Sequence, residues 1–118
     1  FDLREWHSIE AMHKNLQTIC RFPSHYGRNF DALWDCLCND LSFGADGRGV
    51  FVFQNFISFE KDFPRETETL LELLAQAHRV LLFSGIRLLI CIQCSDENYR
   101  KDGLGSVSTV WPYREEIQ

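Results

Sequence analysis

Two aspartates, Asp31 and Asp35, lie four residues apart in HYGRNFDALWDCLCND (residues 25–40), a stretch with the pattern of a short amphipathic helix. Residues at this spacing share one face of a helix, and two like charges there cost on the order of 0.3 kcal/mol. The helix dipole favours Asp31 in the first turn by about 0.3–1 kcal/mol, but Asp35 lies beyond its main reach. Two interpretations stay open, a solvated helix face and an acidic surface that binds a partner.

An aromatic residue, Trp34, precedes Asp35 at the border between the acidic face and the apolar side of the same helix. Asn29 is the expected N-cap, and the helix should run to about Leu41. Its apolar stripe consists of Phe30, Leu33, Leu37 and Leu41. Aromatic anchors next to carboxylates are frequent in protein interfaces, so this border favours a binding role.

Cysteines are the other group that could do chemistry. Cys91-x-x-Cys94 has the spacing of a redox or zinc motif, and Cys36-x-Cys38 could complete four ligands. The first two, however, are an odd number of residues apart on an expected strand and point to opposite faces. The second two lie about 200° apart around a helix. We therefore expect buried, free thiols and keep a small metal-binding or thiol-redox protein as an alternative.

The four histidines are scattered along the chain without the spacing of metal ligands; they are His7, His13, His25 and His78. A Cys–His hydrolase that used His25 would need a nearby nucleophile and an oxyanion hole, and no motif supplies either. The sequence therefore predicts no enzyme, no catalytic residue, no metal site and no cofactor.

The composition is that of one soluble globular domain, with 118 residues, 45% hydrophobic and 25% charged. A net charge of −5 argues against nucleic acid as a ligand, which needs clustered Lys and Arg, and suits a basic protein partner. No apolar run approaches the roughly 20 residues of a membrane span, and the amino-terminal stretch lacks a signal-peptide pattern. With an odd number of cysteines, these features indicate a cytoplasmic protein without membrane contact.

Hydrophobic periodicity predicts alternating strands and helices around the acidic stretch. The two later strands read as continuous apolar runs, the pattern of strands covered on both faces. Strands separated by helices imply a parallel sheet, so the sequence predicts an α/β fold. The expected elements are a strand remnant at residues 1–3, a helix capped by Ser8 and closed by Pro23, the helix after Asn29, a loop at 42–49, a strand at 50–54, a helix from about Pro64 to Gly85 and a strand at 86–92.

The stretch HYGRNFDALWDCL (residues 25–37) closely resembles the signature of the barstar family, Gly-x-Asn followed by Asp-Ala-Leu-Trp-Asp-Cys-Leu. Weaker similarity continues through most of residues 1–93, including LLELLAQA (residues 70–77). The resemblance implies a barstar-like fold, a small three-stranded parallel sheet packed by helices. We expect one domain over residues 1–118, with a core at about 1–93 and an extension at 94–118, in which SVSTVW (residues 106–111) could add a strand.

By this resemblance the chain would inhibit a ribonuclease by plugging its basic active site. Asp35 matches the aspartate that enters the enzyme's phosphate-binding site, and Asp31 matches a second acidic contact. The remaining positions lie on the loop before the helix, along the helix and on the third helix. The expected partner-binding residues are His25, Tyr26, Gly27, Asn29, Phe30, Asp31, Trp34, Asp35, Cys38 and Gln76.

Departures from the family pattern lie at the periphery of this set. His25 replaces the first tyrosine of the family's pair, Arg28 replaces an acidic residue, and Gln76 replaces a glutamate. The loop at residues 42–49 is longer and lacks the family's tryptophan. Because the central aspartates are kept, the departures suggest a related but different nuclease as the target.

The sequence thus predicts a cytoplasmic immunity protein, or antitoxin, of the kind used in competition between bacteria. Its expected partner is a basic ribonuclease toxin bound in a 1:1 complex, with no direct contact to nucleic acid or membrane. A barstar-like module with a non-nuclease partner stays open beside the metal-binding or thiol-redox alternative built on Cys91 and Cys94.

Overall fold

The structure is a computed structural model that describes residues 1–94 of the chain. Over this range the fold has four α-helices and a two-stranded parallel sheet, which confirms the predicted α/β class. The predicted added strand at residues 106–111 lies outside the described residues. The elements are α1 (Ile9–Cys20), α2 (Phe30–Asn39), β1 (Arg48–Gln54), α3 (Phe56–Asp62), α4 (Pro64–Leu82) and β2 (Arg87–Gln93), preceded by a 3-10 turn at Leu3–Glu5.

Local signals in the sequence set both ends of α1. The Ser8 hydroxyl accepts a hydrogen bond from the backbone N–H of Ala11 at 3.0 Å, as expected of an N-cap serine. The helix ends where Arg21 adopts a left-handed conformation with φ of 58°. Its buried residues include Met12 and Leu16, so α1 packs one apolar face on the core.

A short helix, α3, follows β1 although the sequence pattern does not indicate it. It begins after Asn55, which has a φ of 57°, and its Phe56 and Phe59 side chains are buried. α4 begins with Pro64 in the first turn, as predicted, and Gly85 with φ of 77° turns the chain before β2. Together α3 and α4 carry the chain from the end of β1 back to the start of β2, as parallel pairing requires.

The sheet has two strands within residues 1–94, not the three that were predicted. Beside the carboxyl end of β1, the amino-terminal segment contributes a single bridge within residues 1–94, from Asp2 to Gln54. The chain then leaves the sheet because the 3-10 turn begins at the next residue. The Asp2 carboxylate stabilises this departure by accepting hydrogen bonds from the backbone and guanidinium of Arg4 and from the side-chain amide of Asn55.

Within residues 1–94 only one face of each strand is covered, whereas the sequence predicts strands buried on both faces. In β1, Phe51 and Phe53 are buried, whereas Val50 and Val52 are exposed. Burial alternates in β2 as well. The helices cover the phenylalanine face, and no described residue covers the valine face. An apolar run in the sequence therefore did not reveal how many layers surround it.

The core lies between the helices and the covered face of the sheet, and α4 packs against α2, α3 and β2. α2 ends at Asn39 rather than near Leu41, but Leu41 is still buried. None of the helices in residues 1–94 has the length and apolar character of a membrane span. Among the described residues, the largest fully buried side chains are those of Phe53, Phe56, Phe59, Leu3, Met12, Leu16, Leu33, Leu37, Leu70, Leu74, Leu81 and Leu88.

Candidate functional site

The start of α2 is held in place by its own N-cap. The side-chain oxygen of Asn29 accepts a hydrogen bond from the backbone N–H of Ala32 at 2.7 Å. Its side-chain nitrogen donates to the carbonyl of Gly27 at 3.4 Å. Arg28, between them, has a φ of 53°. These contacts set the direction in which the helix leaves the loop, so Asn29 positions the acidic residues that follow it.

Asp31 and Asp35 are both exposed on the outer side of α2, as their helical spacing predicts. The Asp35 carboxylate accepts a hydrogen bond from the side-chain amide of Asn39 at 2.9 Å. The same nitrogen also donates to the backbone carbonyl of Asp35 at 3.0 Å. Asn39 therefore restricts the orientation of this carboxylate. The sequence analysis missed Asn39, although its position four residues after Asp35 was a usable signal.

No ion pair within residues 1–94 compensates the charge of Asp31 or Asp35. The cation next to the N-cap, Arg28, extends instead towards α1. Its guanidinium lies 3.7 Å from the carboxylate of Glu10 and 3.4 Å from the side-chain oxygen of Gln17. The acidic face therefore keeps its negative charge and can accept charge-assisted hydrogen bonds from guanidinium or ammonium groups.

Behind the acidic face, Tyr26 is buried and its hydroxyl forms a hydrogen bond with Nδ1 of His13 at 2.5 Å. The His13 ring meets the Phe30 ring edge-on, with the centroids 5.5 Å apart. Burial lowers the pKa of His13, with a smaller effect from the charge of Arg28, and burial raises the pKa of Tyr26. Both groups are therefore neutral near pH 7. The Tyr26 side chain therefore anchors the loop before α2 to α1, whereas the preceding residue, His25, is exposed.

An apolar groove adjoins the acidic face between α2 and the end of α4. The groove has a volume of about 770 Å³ and is lined by Trp34, Gln76, Arg79, Val80, Leu82 and Phe83. Phe83 is 94% exposed and Val80 is 41% exposed. The structure thus brings Trp34 and Gln76 into one depression and adds three apolar residues that the sequence analysis missed, Val80, Leu82 and Phe83. The apolar run VLLF (residues 80–83) is longer than one buried stripe requires and was the available signal.

The cysteines of α2 are not activated as nucleophiles. Cys36 is buried, and burial together with a hydrogen bond to Asp40 raises the pKa of its thiol to about 11. Cys38, from the predicted partner-binding set, is half-buried, and burial followed by the charge of Asp35 raises its pKa. A thiol with a raised pKa stays protonated at neutral pH and is a weak nucleophile.

The geometry of the described chain offers no support for the metal-binding alternative. No group of three His, Cys, Asp or Glu side chains within residues 1–94 could hold a metal ion. Cys91 is exposed and Cys94 is half-buried. The thiol-redox alternative rests on Cys91 and Cys94 and stays a prediction from the sequence.

The predicted partner-binding residues differ in how they meet solvent. His25, Gly27, Asn29, Asp31 and Asp35 are exposed, Phe30, Trp34, Cys38 and Gln76 are half-buried, and Tyr26 is buried. The members of this set on the loop and on α2 are close together in the sequence. Gln76 is on α4 and lies near them because it lines the same groove as Trp34. The acidic face and the groove together form a continuous surface that a basic protein could contact.

Comparisons with known proteins identify relatives of this chain. A family model described as Barstar (barnase inhibitor) matches residues 1–93. The chain is also similar to a Bacillus subtilis (strain 168) protein named "Putative ribonuclease inhibitor YrdF", with 53% identity over 36 residues. The aligned stretch covers 30% of this chain and 40% of that relative. The chain therefore matches less than half of the length of this relative.

Proposed function

This chain belongs to the barstar family, and on that premise we propose that it inhibits a ribonuclease by placing the acidic face of α2 in the enzyme's active site. The observation that carries this proposal is the exposed pair Asp31 and Asp35, which forms no ion pair within the described residues. A ribonuclease must hold RNA phosphates with Arg and Lys side chains, so its active site is positive. The two surfaces are complementary in charge.

Asp35 takes the place of a substrate phosphate in this complex. Its carboxylate accepts hydrogen bonds from the arginine or lysine side chains that otherwise bind RNA. Because Asn39 already restricts the carboxylate and a rigid helix displays it, little conformational entropy is lost on binding. Asp31, one helical turn earlier, supplies a second acidic contact.

The groove beside Trp34 supplies the apolar part of the interface. Electrostatic attraction speeds the encounter, but affinity comes largely from a few well-packed, desolvated residues. Trp34 lies at the boundary of both regions, and Gln76 offers a neutral hydrogen-bonding group inside the groove. The charge of the acidic face and the shape of the groove together select the enzyme.

The inhibitor works in the cytoplasm as an immunity protein, or antitoxin, in a 1:1 complex. A cell that makes an active ribonuclease must block it wherever cellular RNA is accessible. Inhibition by occupation needs no catalytic group in the inhibitor, which agrees with the neutral thiols of α2. The ribonuclease is blocked because RNA cannot enter a cleft that α2 occupies.

The test begins with a pull-down from the source organism with the tagged full chain, followed by an RNA-hydrolysis assay of the captured protein. The captured protein should degrade RNA alone and lose this activity when one equivalent of inhibitor is added. The double variant Asp31→Asn/Asp35→Asn should no longer inhibit, whereas the exposed Asp62→Asn on α3 should inhibit fully. A captured partner without ribonuclease activity would contradict the proposal.

A further inference from the structure

The face of the sheet that points away from the helices carries an apolar patch. Val50 lies beside Leu89 in the strand register, and Val52 lies beside Cys91. The exposed fractions of Val50, Val52 and Leu89 are 53%, 40% and 57%, and Cys91 is also exposed. A sheet face in contact with water normally carries polar side chains. We call this set of four residues the open-face patch; its composition fits a face that another segment covers.

Two arginines lie next to this patch on the same face. Arg48 and Arg87 are register partners at the amino-terminal ends of the strands, and both are exposed. Like charges opposite each other on a sheet are destabilising. Within residues 1–94 neither guanidinium forms an ion pair. We call these residues the arginine pair, and an acidic group above it would relieve the repulsion.

The chain beyond Cys94 has the length and the residue order to cover this face. The 24 residues 95–118 follow directly from the carboxyl end of β2. They contain Asp102-Gly103, a dipeptide typical of turns, then SVSTVW (residues 106–111) and a glutamate pair at 115–116. From the carboxyl end of the sheet backwards, the open face presents Gln54 and Gln93 first, then the open-face patch, and the arginine pair last.

The spacing along the two stretches also agrees. Cys91 and Arg87 are four residues apart on β2, which is about 13 Å in a strand. Trp111 and Glu115 are also four residues apart and span the same distance when extended. A returning segment that placed Trp111 over the open-face patch would therefore bring Glu115 to the arginine pair.

From this agreement in order, spacing and charge we propose that residues 106–116 lie across the open face of the sheet, antiparallel to β1 and β2. Trp111 packs on the open-face patch, and the glutamate pair at 115–116 contacts the arginine pair. The occupant of the face is thus a segment of the same chain. Because the helices cover the opposite face, this inference does not depend on the proposed ribonuclease inhibition.

Cys91 provides a direct probe, since its thiol lies in the patch that the segment would cover. The experiment measures the alkylation rate of Cys91 by iodoacetamide in the full chain with Cys94→Ser, using peptide mass spectrometry. We expect native protein to react at least about 10-fold more slowly than protein unfolded in urea, as for a site that reacts only after local opening. Trp111→Ala should remove most of this protection, whereas Lys101→Ala, which precedes the covering segment, should not.

A charge exchange tests the second contact independently of Trp111. Arg87→Glu should speed the alkylation of Cys91, and combining it with Glu115→Arg and Glu116→Arg should slow the reaction again. Circular dichroism confirms that each variant is folded. The proposal is overturned if native and unfolded protein react equally fast, or if protection survives Trp111→Ala. Protection that disappears on dilution would instead identify a second copy of the chain as the occupant.

Discussion

Replacing Asp35 by alanine should weaken binding to the ribonuclease by more than about 2 kcal/mol, roughly 30-fold in Kd, and leave the fold intact. A carboxylate that accepts hydrogen bonds from charged donors contributes about 1.5–3 kcal/mol. Its removal also leaves a buried cation of the enzyme without a partner. Asp35 is exposed in the free protein, and within residues 1–94 its side chain forms a hydrogen bond only with Asn39. The free energy of unfolding should therefore change by less than about 0.5 kcal/mol.

The assay pairs two measurements on each variant, titration calorimetry against the ribonuclease and urea unfolding of the inhibitor alone. Asp62→Ala removes an exposed carboxylate from α3 and should leave both quantities unchanged. Asn39→Ala keeps the charge of Asp35 but frees its orientation, so we expect a smaller loss of about 0.5–1.5 kcal/mol in binding. The reasoning is refuted if Asp35→Ala binds within threefold of the unaltered protein, or if a loss of stability accounts for the weaker binding.

Three further predictions concern steering, specificity and pH. The association rate with the ribonuclease should fall as salt rises from low to physiological concentration, because exposed charges are screened; a flat stopped-flow profile would point to an apolar interface centred on Trp34. Barnase itself should bind at least about 100-fold more weakly than the cognate enzyme, roughly 2.7 kcal/mol, and Gln76→Glu should recover part of this difference for barnase only; equal affinities measured by calorimetry would refute this reading of the groove. The folded-state pKa of His13 is lowered, so the unfolded chain binds more protons below its unperturbed pKa of about 6.5. Urea unfolding should show stability falling as the pH drops from 7 to 5, with a shallower dependence in His13→Gln and no difference if His13 does not contribute.

The acidic surface could be predicted from the sequence because the interactions that form it are local. An N-cap bond joins residues three apart, and a helical face is defined by residues four apart, so Asn29, Asp31 and Asp35 determined the start of α2 and the placement of both carboxylates. The same holds for Ser8 at α1 and for Pro64 at α4. The family resemblance in residues 25–37 added the proposed type of partner, which spacing alone left open.

Features that depend on distant segments could be decided only by the tertiary structure. Whether Val50 and Val52 are covered depends on which elements pack on that side of the sheet. The apolar run in the sequence does not distinguish a sheet covered on one face from a sheet covered on both faces. The predicted strand at residues 1–3 is only a bridge at Asp2, because the chain enters a 3-10 turn at Leu3. Tyr26, in the loop before α2, turns inward because His13 on α1 supplies a buried hydrogen-bonding partner. Gln76 meets Trp34 because α4 packs on α2. Capping and helical spacing act within one turn, whereas burial and the meeting of helices are set by the packing of the whole chain.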